Sequence, residues 1–236
     1  MTNMTAAAPT NLTLTGAQWR ALASHAQTEK TRYAMECAAL FPADDKSRAW
    51  LSSSGVVVAT DGKRALYLPS DVAPTGVSLV SLPKIAKSRK GMLESYLGAA
   101  LPDGSGGRHY PPALDVIPAR ASSLEVPTDS LRAIFAPFAT DPDNDTVRCT
   151  FSWASAGIRL EARNTTHNTT VSASYGNCLD DVSDPIGLGA RYVLDVCDAA
   201  DWLGVPTVTI QAKDHRNGVV FALGERGFVI VMPRVL

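Results

Sequence analysis

Asp141-Pro142-Asp143-Asn144-Asp145 is the segment whose residue types and spacing come nearest to metal-holding chemistry. Carboxylates at every second position are the rhythm of a calcium loop, which also needs glycine at its sixth position and a glutamate at its twelfth. Thr146 and Ser152 stand at those places, so a solvated acidic loop fits better. Asp180, Asp181 and Asp184 form a second acidic group, in what reads as a strand-connecting loop. A metal-dependent enzyme built on these loops is a remote reading. His25, His109, His167 and His215 lie far apart, and their spacing yields no Ser/His/Asp or Cys/His arrangement. Cys37, Cys149, Cys178 and Cys197 form neither a C-x-x-C pair nor a cluster with zinc spacing, and read as reduced, part-buried thiols. There is no G-x-x-x-x-G-K-[ST] phosphate loop. The expectation is a protein with no catalytic residues, no metal and no cofactor.

Composition narrows the remaining classes. The chain has 236 residues, 45% hydrophobic and 19% charged, enough for one large domain or two smaller ones with separate cores. A formal net charge of -1 excludes a bulk polyanion binder, so contact with nucleic acid requires a local basic patch. Residues 1–9 carry no basic cluster and no apolar core of signal-peptide length, and no apolar run reaches membrane-spanning length. A cytoplasmic location is expected. The N-x-T sequons at Asn3, Asn11, Asn164 and Asn168 then reflect a threonine-rich composition.

The elements that would position any site read as follows. Residues 1–9 form a disordered start. Asn11 to Leu14 is a short strand, and Thr15-Gly16-Ala17-Gln18 is a capping box ahead of a helix with Trp19, Leu22, Ala23 and Ala26 on one face. Strands are expected at Tyr33 to Leu40, Trp50-Leu51, Gly55 to Ala59, Ala65 to Leu68 and Val77 to Leu82. Pro83 opens a second helix with Ile85, Met92, Leu93, Tyr96 and Leu97 as its apolar positions. Gly98 to Arg120 is rich in glycine and proline and reads as the main break. Beyond it come a strand at Ser123 to Val126 and a helix capped by Thr128. Strands follow at Val147 to Trp153, Gly157 to Ala162 and Thr169 to Tyr175. A helix then holds Val193 to Leu203, and strands close the chain at Thr207 to Gln211, Gly218 to Leu223 and Gly227 to Met232. The second half repeats the element order of the first. This predicts an α+β protein of two domains, 10–118 and 119–236, each with two helices on antiparallel sheets. The segment Val229 to Leu236 is almost wholly apolar and needs a covering surface.

Several motifs carry a family resemblance. Ala59-Thr60-Asp61-Gly62-Lys63-Arg64 is similar to the A-T-D-G-[HK]-R strand and turn in the middle domain of bacterial β sliding clamps, the processivity subunit of the replicative polymerase. Arg32-Tyr33 resembles the R-Y that opens a strand in that domain. Tyr110-Pro111 and Val116-Ile117-Pro118 resemble the connector between the clamp's second and third domains. Tyr192-Val193-Leu194-Asp195 resembles the opening of the last helix, and Val231-Met232-Pro233 the V-M-P near the clamp's end. The motifs occur in the family's order and cover its second and third domains, with no counterpart of the first. The short stretch between Pro83 and Tyr110 implies that the first domain here lacks a hairpin.

The resemblance implies two DNA-clamp-like domains acting as a DNA sliding clamp. Family clamps place six domains around duplex DNA, so a two-domain chain would do so as a homotrimer ring, with a monomer as the rival state. Arg20, Lys84, Lys87, Arg89, Lys90 and Arg132 would face the DNA without base-specific contacts; Asp195, Asp198 and Asp201 have the wrong sign for that role. A peptide-binding pocket, docking a DNA polymerase or other proteins with clamp-binding peptides, would be walled by Met35, Thr60, Gly62, Lys63, Arg64, Ala65, Pro111, Val116, Tyr192, Ile230, Val231, Met232, Pro233 and Leu236. Three positions depart from the pattern. Ala65 replaces a leucine, Asp115 stands where a basic residue is common, and Arg234-Val235 reverses the usual apolar-then-basic order. The expected role is DNA replication, with an origin in a phage, plasmid or other mobile element. The alternative is a clamp-derived interaction module that forms no ring and binds clamp-binding peptides or a host clamp as regulator or decoy.

Overall fold

The T-x-x-Q signal closes as a capping box: Gln18 N donates to Thr15 Oγ1 at 3.2 Å and Thr15 N donates to Gln18 Oε1 at 2.8 Å. Two of the orphan N–H groups at the helix start are thereby satisfied. The structure, a computed structural model, describes residues 11–26, 37–81, 96–102, 113–119, 122–140, 146–153, 157–164, 169–176 and 184–234. It divides into two compact units, 1–116 and 117–236.

In the first unit, strand β1 (Asn11–Leu14) leads into helix α1 (Gly16–His25). Leu12 and Leu14 are buried and Thr13 is exposed, the alternation of a half-buried strand. Helix α1 buries Trp19, Ala21, Leu22 and His25 against β3 (Gly55–Thr60) and β4 (Arg64–Ser70). Ala23 and Ala26, expected on the core face, are only half-buried, because His25 turns inward and shifts the buried stripe. Strand β2 (Cys37–Pro42) pairs with β3, whose six residues are all buried, as suits a central strand. Trp50 and Leu51 are not a strand. Asp44 caps the short helix α2 (Asp45–Arg48) by accepting from Ser47 N at 2.8 Å, and Leu51 N donates back to Ser47 O. The reciprocal Asp44–Ser47 bonds set the local backbone there, ahead of the apolar pair that follows.

Strands β5 (Ser78–Ser81) and β6 (Tyr96–Pro102) complete the first unit's sheet, in the order β1-β6-β5-β2-β3-β4, with antiparallel neighbours. Tyr96 and Leu97 therefore do not end a helix, and Gly98 to Pro102 do not begin the linker. The first half of β6 pairs with β1 and its second half with β5. Ladder pairing on two sides overrides the glycine and proline that read as a break. The expected helix from Pro83 lies otherwise outside the described residues.

The second unit has an internal repeat that the sequence did not disclose. One copy is β7 (Ser123–Pro127), α3 (Thr128–Phe135), β8 (Thr146–Ser152), β9 (Gly157–Asn164) and β10 (Thr169–Tyr175). The other is β11 (Ile186–Gly189), α4 (Ala190–Trp202), β12 (Thr207–Gln211), β13 (Val219–Ala222) and β14 (Phe228–Val231). Each sheet combines the last three strands of one copy with the first strand of the other, giving β10-β9-β8-β11 and β14-β13-β12-β7. Helix α3 packs over β7 and β10, α4 over β11 and β14, and the helices pack on each other. Strand β11 went unread because Ile-Gly-Leu-Gly is four residues long with two glycines. Thr128 is not the cap it was expected to be. It is the first helical residue, its hydroxyl donates to Val205 O at 2.9 Å, and Pro127 holds the capping position. Among the described residues the first unit has six strands and the second eight, and the first shows no counterpart of β13 and β14.

Phe135→Ala removes a fully buried ring between helix and sheet and should lower unfolding stability by about 3–5 kcal/mol. Thr15→Ala, which removes only the capping box, should cost about 1 kcal/mol. Denaturant titration measures both, and a Phe135→Ala loss no larger than that of Thr15→Ala would contradict this packing.

Candidate functional site

The sequence-predicted site residues fall into a cluster in each unit. In the first, the β3–β4 hairpin turns through Asp61-Gly62-Lys63. Gly62 has φ 81°, the left-handed region that favours glycine. Thr60 Oγ1 donates to Arg64 O at 2.6 Å and accepts from Gly62 N at 3.0 Å. Asp61 Oδ1 accepts from Lys63 N and Arg64 N, both at 2.9 Å, so one carboxylate oxygen satisfies two turn amides. Asp61 Oδ2 pairs with Arg64 Nε at 3.2 Å, and both side chains are largely buried. Arg64 Nη2 reaches out of the hairpin to Ser24 O, at the end of α1, at 2.9 Å. The turn is thus built rigidly from its own side chains and tied to a helix. Thr60 and Ala65 are buried, while Gly62 and Lys63 stand on the surface. Val116, at the end of a 3-10 turn (Ala113–Val116), is 45% exposed.

His25 is the residue near this turn that sequence reasoning missed. It is fully buried, its Nδ1 lies 2.9 Å from Ala21 O and 3.0 Å from Ser24 Oγ, and its Nε2 finds no hydrogen-bond partner among the described residues. Burial first, and then the charge of Arg64, push its pKa down to about 3. The imidazole therefore stays neutral beside the guanidinium.

In the second unit, Ile230 and Val231 are buried strand residues of β14, and Met232 and Pro233 emerge half-buried beyond it. Tyr192 lies in the first turn of α4, and its ring carries the Arg234 guanidinium, with Cζ 4.9 Å from the ring centroid. Tyr192 and the segment after β14 are therefore brought together. Arg132 of α3 donates to Asp198 at 2.7 Å and to Asp201 at 2.5 Å on α4. Arg20 is half-buried on α1. Met35, Pro111, Leu236, Lys84, Lys87, Arg89 and Lys90 lie outside the described residues, as do the acidic segment 141–145 and Asp180-Asp181. Cys149 and Cys197 are free buried thiols. Burial pushes both up, Cys197 to about 12, so neither is a ready nucleophile. Among the described residues no group of His, Cys, Asp and Glu is placed to hold a metal ion, and no helix is long and apolar enough to cross a membrane.

No family model matches the sequence, and no curated protein matches it. Solved structures do match the fold. The DNA polymerase III subunit β from Pseudomonas aeruginosa superposes with a TM-score of 0.68 at 17% identity, over 100% of this chain and 69% of its own. The Helicobacter pylori β clamp bound to a DNA ligase peptide gives 0.66 at 14%, over 100% and 68%. A Bartonella birtlesii sliding clamp bound to griselimycin gives 0.65 at 15%, over 100% and 68%. The chain therefore has the α+β fold of the bacterial β sliding clamps, and it spans about two thirds of their length.

Because His25 must stay neutral to remain buried, the unfolded chain takes up a proton there while the folded chain does not, between the ordinary histidine value and about 3. Stability from this group is complete above pH about 6.5 and falls with pH below it, by about 1.4 kcal/mol per unit. Urea titrations from pH 7 to 4.5 should show this slope reduced in His25→Gln. An identical slope in the variant would contradict the assignment.

Proposed function

We propose that this chain is a sliding-clamp-like processivity factor. It encircles duplex DNA as a homotrimer and tethers a polymerase through a peptide-binding pocket walled by Tyr192 and the Ile230–Pro233 segment, with the Thr60–Ala65 turn as a proposed peptide contact of the first unit. The observation that carries this reading is the clamp fold over the whole chain, with Gly62 and Lys63 exposed on a hydrogen-bonded turn and Met232 and Pro233 half-buried beyond β14. That a clamp of this fold has been solved with a DNA ligase peptide supports peptide docking here. Gly62 lets a ligand backbone approach closely, and Met232 offers an adaptable apolar wall. The reading needs no catalytic group. Arg20, Lys84, Lys87, Arg89 and Lys90 are the cations proposed to face DNA.

A second reading, an interaction module that forms no ring, is favoured by the charge of the second unit's helices. Helices α3 and α4 carry Asp129, Asp195, Asp198 and Asp201 against only Arg132 and Arg191, and Arg132 is held by two of those carboxylates. Such a helix pair gives little attraction for phosphate.

Light scattering separates the readings. Three chains of 25.0 kDa give about 75 kDa for the ring, whereas a monomer at micromolar concentration sets the ring aside and leaves the module. Met232→Ala, or deletion of residues 232–236, should weaken binding of an extended peptide with leucine and phenylalanine anchors by about tenfold or more. Unchanged affinity would remove the pocket from either reading.

A further inference from the structure

Arg234 is built into the second unit by contacts to several elements. Its backbone N–H donates to Gly187 O at 2.8 Å, an isolated bridge to β11. Its Nη1 donates to Thr146 Oγ1, at the start of β8, at 3.1 Å. Its guanidinium lies over the Tyr192 ring in the first turn of α4. Gly189 makes room for this stack. A Cβ there would sit 2.9 Å from Arg234 Cζ and Nη2 and 2.9 Å from Tyr192 Cδ2, closer than carbon contacts allow. The same residue thus joins β8, β11 and α4 to the segment after β14.

We propose that Arg234 is a positioning residue for the peptide site: it latches Met232-Pro233-Arg234 in place and fixes the Tyr192 ring, so an incoming apolar peptide meets a wall already formed. This rests on the peptide-docking reading above. A wall ordered beforehand does not lose conformational freedom when the ligand arrives. Without the guanidinium contacts the segment would lose its ties to Thr146 and Tyr192. The role is geometric. A planar guanidinium stacks on the ring while reaching Thr146, and a lysine ammonium of equal charge does not reproduce that arrangement.

The test uses the full chain, amide hydrogen exchange at Arg234, and titration with an extended peptide bearing leucine and phenylalanine anchors. Arg234→Ala should speed exchange of the residue-234 amide and weaken the peptide, each by about tenfold or more. Arg234→Lys should resemble Arg234→Ala rather than the parent, and a salt titration should leave peptide affinity nearly unchanged. Thr146→Val, a near-isosteric change that removes one hydrogen-bond partner, should move both readouts the same way by less. Unchanged exchange in Arg234→Ala overturns the latch. So does faster exchange with unchanged peptide affinity, or a lysine variant that restores salt-sensitive binding. If the parent chain binds no peptide, the docking reading fails, and the exchange result still decides whether the latch exists.

Discussion

The second unit rests on one constraint: a helix followed by three antiparallel strands cannot cover its own apolar face. Each copy of the repeat meets this by giving its first strand to the other's sheet. Strand β7 completes β12–β14, and β11 completes β8–β10. Each helix then bridges the two sheets, α3 over β7 and β10, α4 over β11 and β14. This exchange also delivers the site. Because α4 starts directly after β11 and packs over β14, Tyr192 arrives beside the residues that leave β14. Gly187 and Gly189 leave the open backbone against which Arg234 settles. The candidate site in this unit is a consequence of how the core is closed.

The described strands of the first unit form one continuous sheet, in which β6 spans from β5 to β1. The Asp61–Lys63 turn hangs from a well-buried hairpin of the unit, β3–β4, and is locked by hydrogen bonds of Asp61 and Thr60. Arg64 carries that rigidity to the end of α1, where a neutral buried His25 closes the core. Such internal bonding leaves a surface turn little conformational freedom to lose.

Much of this was legible in the chain, for identifiable reasons. The Thr15–Gln18 box, the hairpin at Asp61-Gly62 and the uninterrupted runs of β10 and β12 have strong local signals, and they form where the spacing puts them. What escaped was set by partners distant in sequence. Strand β6 holds through ladder bonds to β1 and β5, β11 through β8, and Thr128 turns its hydroxyl to Val205 instead of its own helix. The repeat inside the second unit has no sequence echo, because burial of similar shapes does not require similar residues. For the site, the Thr60–Arg64 motif named the turn, but neither His25 nor the seat of Arg234 could be read. A visible hint of the latter was the pair of glycines flanking Leu188, a place where another chain segment comes close.

Electrostatics and shape point to different strengths for the two parts of the proposed role. The α3–α4 pair ties up Arg132 within its own carboxylates, whereas the motif turn and the segment after β14 are prepared surfaces. Peptide docking is therefore the central claim. The most direct measurement is a map of backbone and methyl NMR shifts in the full chain on titrating the extended leucine–phenylalanine peptide. The account predicts saturable shifts at Tyr192 and Ile230–Pro233. Shifts centred elsewhere, with those residues unmoved, would contradict it.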